Sequence, residues 1–123
     1  MLNLDRRSRK RSWLACAGGL LAAAAIGLSA YASHGVAEPL AQSHLQTAAL
    51  YAFGHGLALA ALARSSERLL GRAALVLLLL GTLLFSGSLA GNALAQWPTR
   101  LAPVGGTTLM LGWALYALDA LRR

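Results

Sequence analysis

The chain has 123 residues, of which 57% are hydrophobic and only 12% are charged. Soluble domains carry roughly 25% charged residues, so this composition excludes an ordinary soluble domain and indicates a protein that folds in lipid. The formal net charge is +7, but the basic residues are grouped at a few places along the chain, which argues against nucleic-acid binding. The single cysteine, Cys16, excludes an intrachain disulfide and a cysteine-based metal cluster.

Four apolar segments are long enough to cross a bilayer, which requires about 20 residues per helix. In chain order, the predicted spans are about 13–33, 44–63, 73–95 and 104–121. We predict a basic cytoplasmic tail at residues 1–12, a single four-helix transmembrane domain at 13–121 and a cytoplasmic end at 122–123. Short connections make successive helices antiparallel neighbours. The predicted fold is therefore all-α, an integral membrane protein built as an up-and-down four-helix transmembrane bundle.

The positions of the basic residues predict the orientation of these spans. The amino-terminal tail, the second loop and the carboxyl end contain all the Lys and Arg residues except Arg100 in the third loop. The positive-inside rule then puts both termini in the cytoplasm, and the expected location is a bacterial inner membrane. The triplet Ala30-Tyr31-Ala32 resembles a signal-peptide cleavage site, but the apolar run before it, at about 20 residues, is longer than that of a signal peptide.

Small residues mark places where membrane helices approach closely. On the first helix, Gly19, Ala23 and Gly27 recur every four residues. On the other three helices, the predicted packing positions are Gly54, Gly56, Gly87, Gly91, Gly105, Gly106 and Gly112. We expect tight packing within the bundle, although the sequence does not distinguish these contacts from contacts with a partner helix or a second copy.

Polar side chains within the spans are candidate functional residues, because a polar group in hydrocarbon is costly unless it has a partner. The candidate cluster consists of Thr47, Tyr51, His55, Ser86, Ser88 and Asn92. For the serines and the asparagine we expect hydrogen bonds between helices. For His55 two interpretations stay open, a neutral hydrogen-bonding group that holds helices together and a working side chain.

The other two histidines, His34 and His44, are candidates at the outer face of the membrane. At 1.5 Å per residue, His55 lies about 16 Å below His44, so a bis-histidine haem is not expected. A metal bound by His34 and His44 would have Glu38 as its only further ligand. The sequence contains no nucleophile with a base, no paired carboxylates and no phosphate-binding loop. We therefore expect no catalytic residues, no cofactor and no metal.

Four motifs occur in a fixed order along the chain. They are His34-Gly35 at the end of the first helix; Thr47-Ala48, Tyr51, His55 and Leu57-Ala58-Leu59 in the second; F-S-G-S-L at 85–89 in the third; and Pro103, Gly105-Gly106 and Gly112-Trp113 in the fourth. This ordered set resembles the YgdD-like small membrane proteins, a family of unknown function that includes the animal transmembrane protein 256. The resemblance covers about residues 13–121. It implies four spans in an inner membrane and no established activity.

The sequence leads to a first hypothesis of function, a non-enzymatic accessory or assembly subunit. Its partners would be the lipid bilayer and either another membrane protein or further copies of itself, but no nucleic acid. The alternative is a small-solute or proton-linked transport element that uses His55, Tyr51, Ser88 and Asn92. A redox protein that binds haem or a quinone is a third class.

Overall fold

A computed structural model of the protein describes residues 11–122, and their regular structure is helical. The helices are α1, Trp13–Gly35; α2, Pro39–Leu62; α3, Leu69–Ala95; and α4, Leu101–Leu121, with a 3-10 turn at Ala63–Ser65. All four are long and apolar enough to cross a membrane. The prediction of an all-helical fold with four such helices is confirmed. Most of the predicted basic tail, residues 1–10, lies outside the described residues.

Three helices begin earlier than the predicted spans, at residue 39 instead of 44, 69 instead of 73 and 101 instead of 104. The clearest case is α2, where the Glu38 carboxylate accepts hydrogen bonds from the backbone N–H groups of Leu40 (3.0 Å) and Ala41 (2.7 Å). Pro39 occupies the first helical position, where its missing N–H costs nothing. Hydropathy marks only the apolar part of a helix, whereas capping residues decide where the helix begins.

The helices alternate in direction. At one end of the molecule, Asp119 near the end of α4 lies against Gly71 near the start of α3. At the opposite end, Gln42 near the start of α2 donates a 2.9 Å hydrogen bond to the carbonyl oxygen of Ala32 near the end of α1. We call the first of these the basic end, because Arg64, Arg68, Arg72 and Arg122 lie beside it, and the second the opposite end.

The helices pack mainly in chain order, α1 on α2, α2 on α3 and α3 on α4. One apolar cluster nevertheless draws on all four, with Leu14, Leu59, Leu75, Leu78 and Leu109 as buried members. Among these described helices, α1 and α4 share no extended interface. The tight packing expected from the sequence is therefore found between helices that are neighbours in the chain and not between α1 and α4, and α3 is the most buried helix.

The cap at Glu38 leads to a prediction about pH. Hydrogen bonds from the amides of Ala41 and Leu40 hold the pKa of the Glu38 carboxyl below its ordinary value. A carboxyl whose pKa is lower in the folded state adds stability above its unfolded pKa, about 4.3, and loses it as the pH falls through the folded value. We expect Glu38→Ala to lower the melting temperature in detergent by a few degrees at pH 7. The difference should shrink as the pH falls through the lowered pKa of Glu38.

Two further variants make this measurement specific. Glu67→Ala removes another exposed carboxylate, one for which the structure gives no capping hydrogen bond, and should leave the melting temperature unchanged. Glu38→Gln keeps one acceptor oxygen, so the stability that it retains over Glu38→Ala should not depend on pH. A Glu38→Ala difference that does not shrink in acid would show that the carboxylate charge is not the cause.

Candidate functional site

The predicted polar cluster is divided into separate hydrogen-bonded groups in the structure. Toward the opposite end, His44 Nδ1 lies 2.9 Å from Asn92 Oδ1. The Asn92 amide nitrogen donates a 2.7 Å bond to the Trp97 carbonyl oxygen. The orientation of the amide makes Asn92 Oδ1 an acceptor, so His44 Nδ1 carries the proton. This group joins α2, α3 and the turn before α4, and it pairs a residue predicted at the outer face with one predicted within the membrane.

The two serines of the predicted cluster bond to backbone carbonyl groups. Ser86 is buried and donates a 2.8 Å bond from α3 to the Ala48 carbonyl oxygen of α2. Ser88 donates a longer bond, 3.4 Å, to the Pro98 carbonyl oxygen. Thr47 is half-buried and shares no hydrogen bond with the rest of the predicted set within residues 11–122. The serines therefore act as links between segments.

His55 uses both ring nitrogens. Its Nδ1 lies 2.8 Å from the Tyr51 carbonyl oxygen, one turn earlier on α2. Its Nε2 accepts a 3.0 Å hydrogen bond from the indole N–H of Trp113 on α4. Because an indole nitrogen only donates, Nε2 is the unprotonated nitrogen and the imidazole is neutral. The imidazole therefore forms a hydrogen-bonded bridge from α2 to α4.

Aromatic side chains continue outward from this bridge. The Tyr51 and His55 rings are almost parallel, 13° apart in plane and 6.0 Å between centroids. The Tyr51 ring also lies 4.5 Å from the Phe85 ring of α3, and Trp113 meets Tyr116 edge to face at 5.8 Å. The rings of Tyr51, His55, Phe85 and Trp113 line a groove of about 610 Å³ between α2 and α4, which we call the aromatic groove.

His34 and His44 are not brought together. His34 is exposed near the end of α1, where it lines a second groove, between α1 and α2, with Ser33 and Gln46. His44 instead bonds to α3 through Asn92. Within residues 11–122, no three His, Cys, Asp or Glu side chains lie close enough to hold a metal ion.

The predicted packing glycines divide into two classes. Gly56, Gly105 and Gly112 lie where a neighbouring helix comes close, and Gly91 lies under the Trp97 ring. Gly54 and Gly87 face open space, and Gly106 has only the edge of the Phe85 ring near it. Gly54 and Gly87 therefore make no helix contact within residues 11–122, and a contact with a partner helix or a second copy stays a prediction. Gly87 has the four-residue spacing to Gly91 that is typical of helix contacts, but its face points away from the neighbouring helices.

The small-residue repeat predicted as a contact face on α1 is not the face that meets α2. Gly19 and Gly27 face open space, and the residue that meets α2 is Gly18. Glycine and alanine occur on every side of this helix, so a repeat of four residues could be read on more than one face.

Several side chains that bond between helices were not among the predicted polar residues. Gln46 accepts a 2.8 Å bond from the Ser29 hydroxyl and donates a 2.9 Å bond to the Ser33 hydroxyl, which ties α2 to α1. Trp113 is the partner of His55. Ser29 and Ser33 are four residues apart and therefore share one face of α1. This spacing could have indicated that they bond to a polar residue of α2 such as Gln46. No local pattern indicates Trp113 as the partner of His55, because the two residues are 58 positions apart.

The bridge between His55 and Trp113 predicts a measurable coupling. Trp113→Phe removes the indole N–H, and His55→Ala removes its acceptor. We expect the double variant to be less destabilised than the sum of the single variants by about 0.6 kcal/mol, and by no more than about 1.7 kcal/mol, the range found for hydrogen bonds between membrane helices. Reversible unfolding in mixed micelles would measure all four proteins. Strict additivity would mean that the bond adds nothing to the stability.

Comparison with known proteins gives a consistent result. The family described as "Protein of unknown function (DUF423)" matches residues 28–106. The UPF0382 inner membrane protein YgdD of Escherichia coli is 34% identical over 106 residues, covering 79% of this chain and 80% of its own. A UPF0382 membrane protein of Schizosaccharomyces pombe is 33% identical over 100 residues, covering 72% and 85%. YwdK, a UPF0382 membrane protein of Bacillus subtilis, is 28% identical over 114 residues, covering 85% and 93%.

No solved structure matches the chain. The resemblance drawn from the four ordered motifs is confirmed by these relatives, which are named as membrane or inner membrane proteins. The family match spans well over half of the chain, and two of these relatives exceed 30% identity over more than two thirds of it. The protein is therefore a membrane protein that belongs to the DUF423 family, whose function is unknown.

Proposed function

We propose that the protein is a non-enzymatic accessory or assembly subunit in the membrane. The observation that supports this is the pairing of five of its intramembrane polar groups, those of His44, His55, Ser86, Ser88 and Asn92, within the chain. Groups held in this way connect helices and are not available to bind a solute or carry a proton. The connections between helices are also only a few residues long, so they add no domain outside the bilayer.

The same pairing weighs against the transport alternative. A proton carrier must gain and lose a proton on an accessible nitrogen. Protonation of His55 at Nε2 would break its bond from Trp113, and the Nδ1 proton is already directed at the Tyr51 carbonyl oxygen. A working His55 would therefore disrupt the connection between α2 and α4 in every cycle.

The test is native purification. The tagged protein would be extracted with its surrounding lipid by a polymer, captured and quantified by mass spectrometry. We expect one membrane protein at a constant molar ratio, and reciprocal capture through a tag on that protein should return this chain. Recovery of this chain alone would contradict the proposal. So would a solute or proton flux in liposomes containing only this chain, provided that His55→Ala abolishes the flux and leaves the melting temperature unchanged.

The proposed orientation places both termini in the cytoplasm, in a bacterial inner membrane. It is supported by Arg64, Arg68, Arg72 and Arg122 at the basic end, against Arg100 near the opposite end. A carboxyl-terminal green fluorescent protein should therefore fluoresce, and alkaline phosphatase fused at the same place should be inactive. Active phosphatase would reverse the orientation.

A further inference from the structure

The Tyr51 hydroxyl makes no hydrogen bond within residues 11–122, although it lies midway along a helix long enough to cross the membrane. Tyr51 lies halfway along the 24-residue helix α2. Its carbonyl oxygen lies within hydrogen-bonding distance of His55 Nδ1, but its hydroxyl bonds to no residue within 11–122. Hydrocarbon contains no water to satisfy such a group, and polar groups left unpaired there are costly. The Tyr51 hydroxyl therefore needs a hydrogen-bond acceptor that residues 11–122 do not supply.

The Tyr51 ring lines the aromatic groove. Phe85, His55 and Trp113 form its other aromatic walls, and Met110, 73% exposed, lies at its rim. Gly106 also lines the groove, and a side chain there would meet only the Phe85 ring edge, at 3.9 Å. The groove volume, about 610 Å³, falls within the range of small-molecule sites, which are mostly apolar and aromatic with few polar groups.

Ordinary lipids cannot provide the missing acceptor at this depth. The hydrocarbon core of a bilayer is about 30 Å thick, so its centre is about 15 Å from the ester and phosphate oxygens on either side. The occupant must therefore dissolve in hydrocarbon and bring its own acceptor.

We propose that the aromatic groove binds the ring of a lipid-soluble quinone. A quinone ring is planar and apolar, so it can pack against the Phe85, Tyr51 and Trp113 rings in the offset or edge-to-face arrangements that aromatic groups prefer. A carbonyl oxygen of the quinone ring accepts a hydrogen bond from the Tyr51 hydroxyl. The isoprenoid tail extends through the open side of the groove into the lipid. His55 is a positioning residue, because its bond to Trp113 holds one wall in place.

The test uses ubiquinone-1 and menadione with the protein in phosphatidylcholine nanodiscs. Replacing Trp13 and Trp97 by Phe leaves Trp113, in the groove wall, as the only tryptophan. We expect saturable quenching of its fluorescence. Tyr51→Phe keeps the ring and removes the hydroxyl, and it should weaken binding by about twofold to tenfold, as for the loss of one hydrogen bond. Gly106→Leu fills the groove and should abolish the saturable phase.

Gly87→Leu is the matched control, because Gly87 also faces open space but lines a different groove, with Leu83 and Leu84. It should bind as the parent protein does, and circular dichroism with melting temperatures would verify that every variant folds. Quenching that is linear and identical in all variants would overturn the proposal, as would an unchanged dissociation constant for Tyr51→Phe. Dissociation of a dimer by Tyr51→Phe, measured by light scattering, would also overturn it and assign the acceptor to a second copy.

Discussion

Gly18→Ala is expected to destabilise the protein by about 1–3 kcal/mol, the usual cost of overpacking. Gly19→Ala, one residue further along α1, is expected to leave the stability unchanged or to raise it by about 0.5–1 kcal/mol through the better helix propensity of alanine. The two changes add the same methyl group to adjacent positions of one helix. Their opposite outcomes would therefore come from the contact alone.

The contact is a close approach of two helix backbones. A Cβ at Gly18 would lie 2.5 Å from the Gly56 carbonyl oxygen and 2.7 Å from the Ala60 nitrogen. A Cβ at Gly56 would in turn lie 2.6 Å from the Gly18 carbonyl oxygen. Backbone atoms cannot rotate away as a side chain can, so α1 and α2 must separate, and the packing around the crossing is lost. A Cβ at Gly19 would have no atom of another described helix within 4 Å.

Reversible unfolding in mixed micelles would measure both variants. Gly56→Ala should be destabilised to a similar extent as Gly18→Ala, because both changes act on the same crossing. Equal stabilities for Gly18→Ala and Gly19→Ala would show that this crossing is not present in the folded protein.

Gly105→Ala is the second change with a large expected effect, again about 1–3 kcal/mol of destabilisation. A Cβ at Gly105 would collide with the backbone nitrogen of Phe85 and lie 2.8 Å from the Gly81 carbonyl oxygen. Gly106→Ala should be tolerated, because its nearest neighbour is the Phe85 ring edge at 3.9 Å. Thermal unfolding in detergent would compare the two variants.

This comparison also bears on the aromatic groove. If Gly106→Ala proved as destabilising as Gly105→Ala, α4 would be rotated relative to the arrangement described here. The groove between α2 and α4 would then lack the opening at Gly106, and Gly106→Leu could not serve as a variant that blocks it. The expected tolerance at Gly106 is therefore a control on the geometry that the quinone site requires.

The sequence by itself determined the class of the protein, its four long apolar helices and its family. Hydropathy is a property of each segment alone, and a bilayer thickness sets the length that a segment needs, so no knowledge of tertiary contacts was required. The early start of α2 was also readable in principle, because Glu38 and Pro39 are local helix signals. Treating the polar residues that follow them as a loop caused the error.

Only the tertiary structure decided which faces and which partners meet. In the structure, Gly18 and not Gly19 contacts α2, and Gly54 and Gly87 face open space. His55 bonds to Trp113, and His44 bonds to Asn92. In a soluble helix the polar face marks the side away from the core. In a membrane, lipid is as apolar as a neighbouring helix, so every face can be apolar and the pattern does not indicate the packed one. Which side of each helix packs, and which histidine finds which partner, therefore depends on how four backbones fit together.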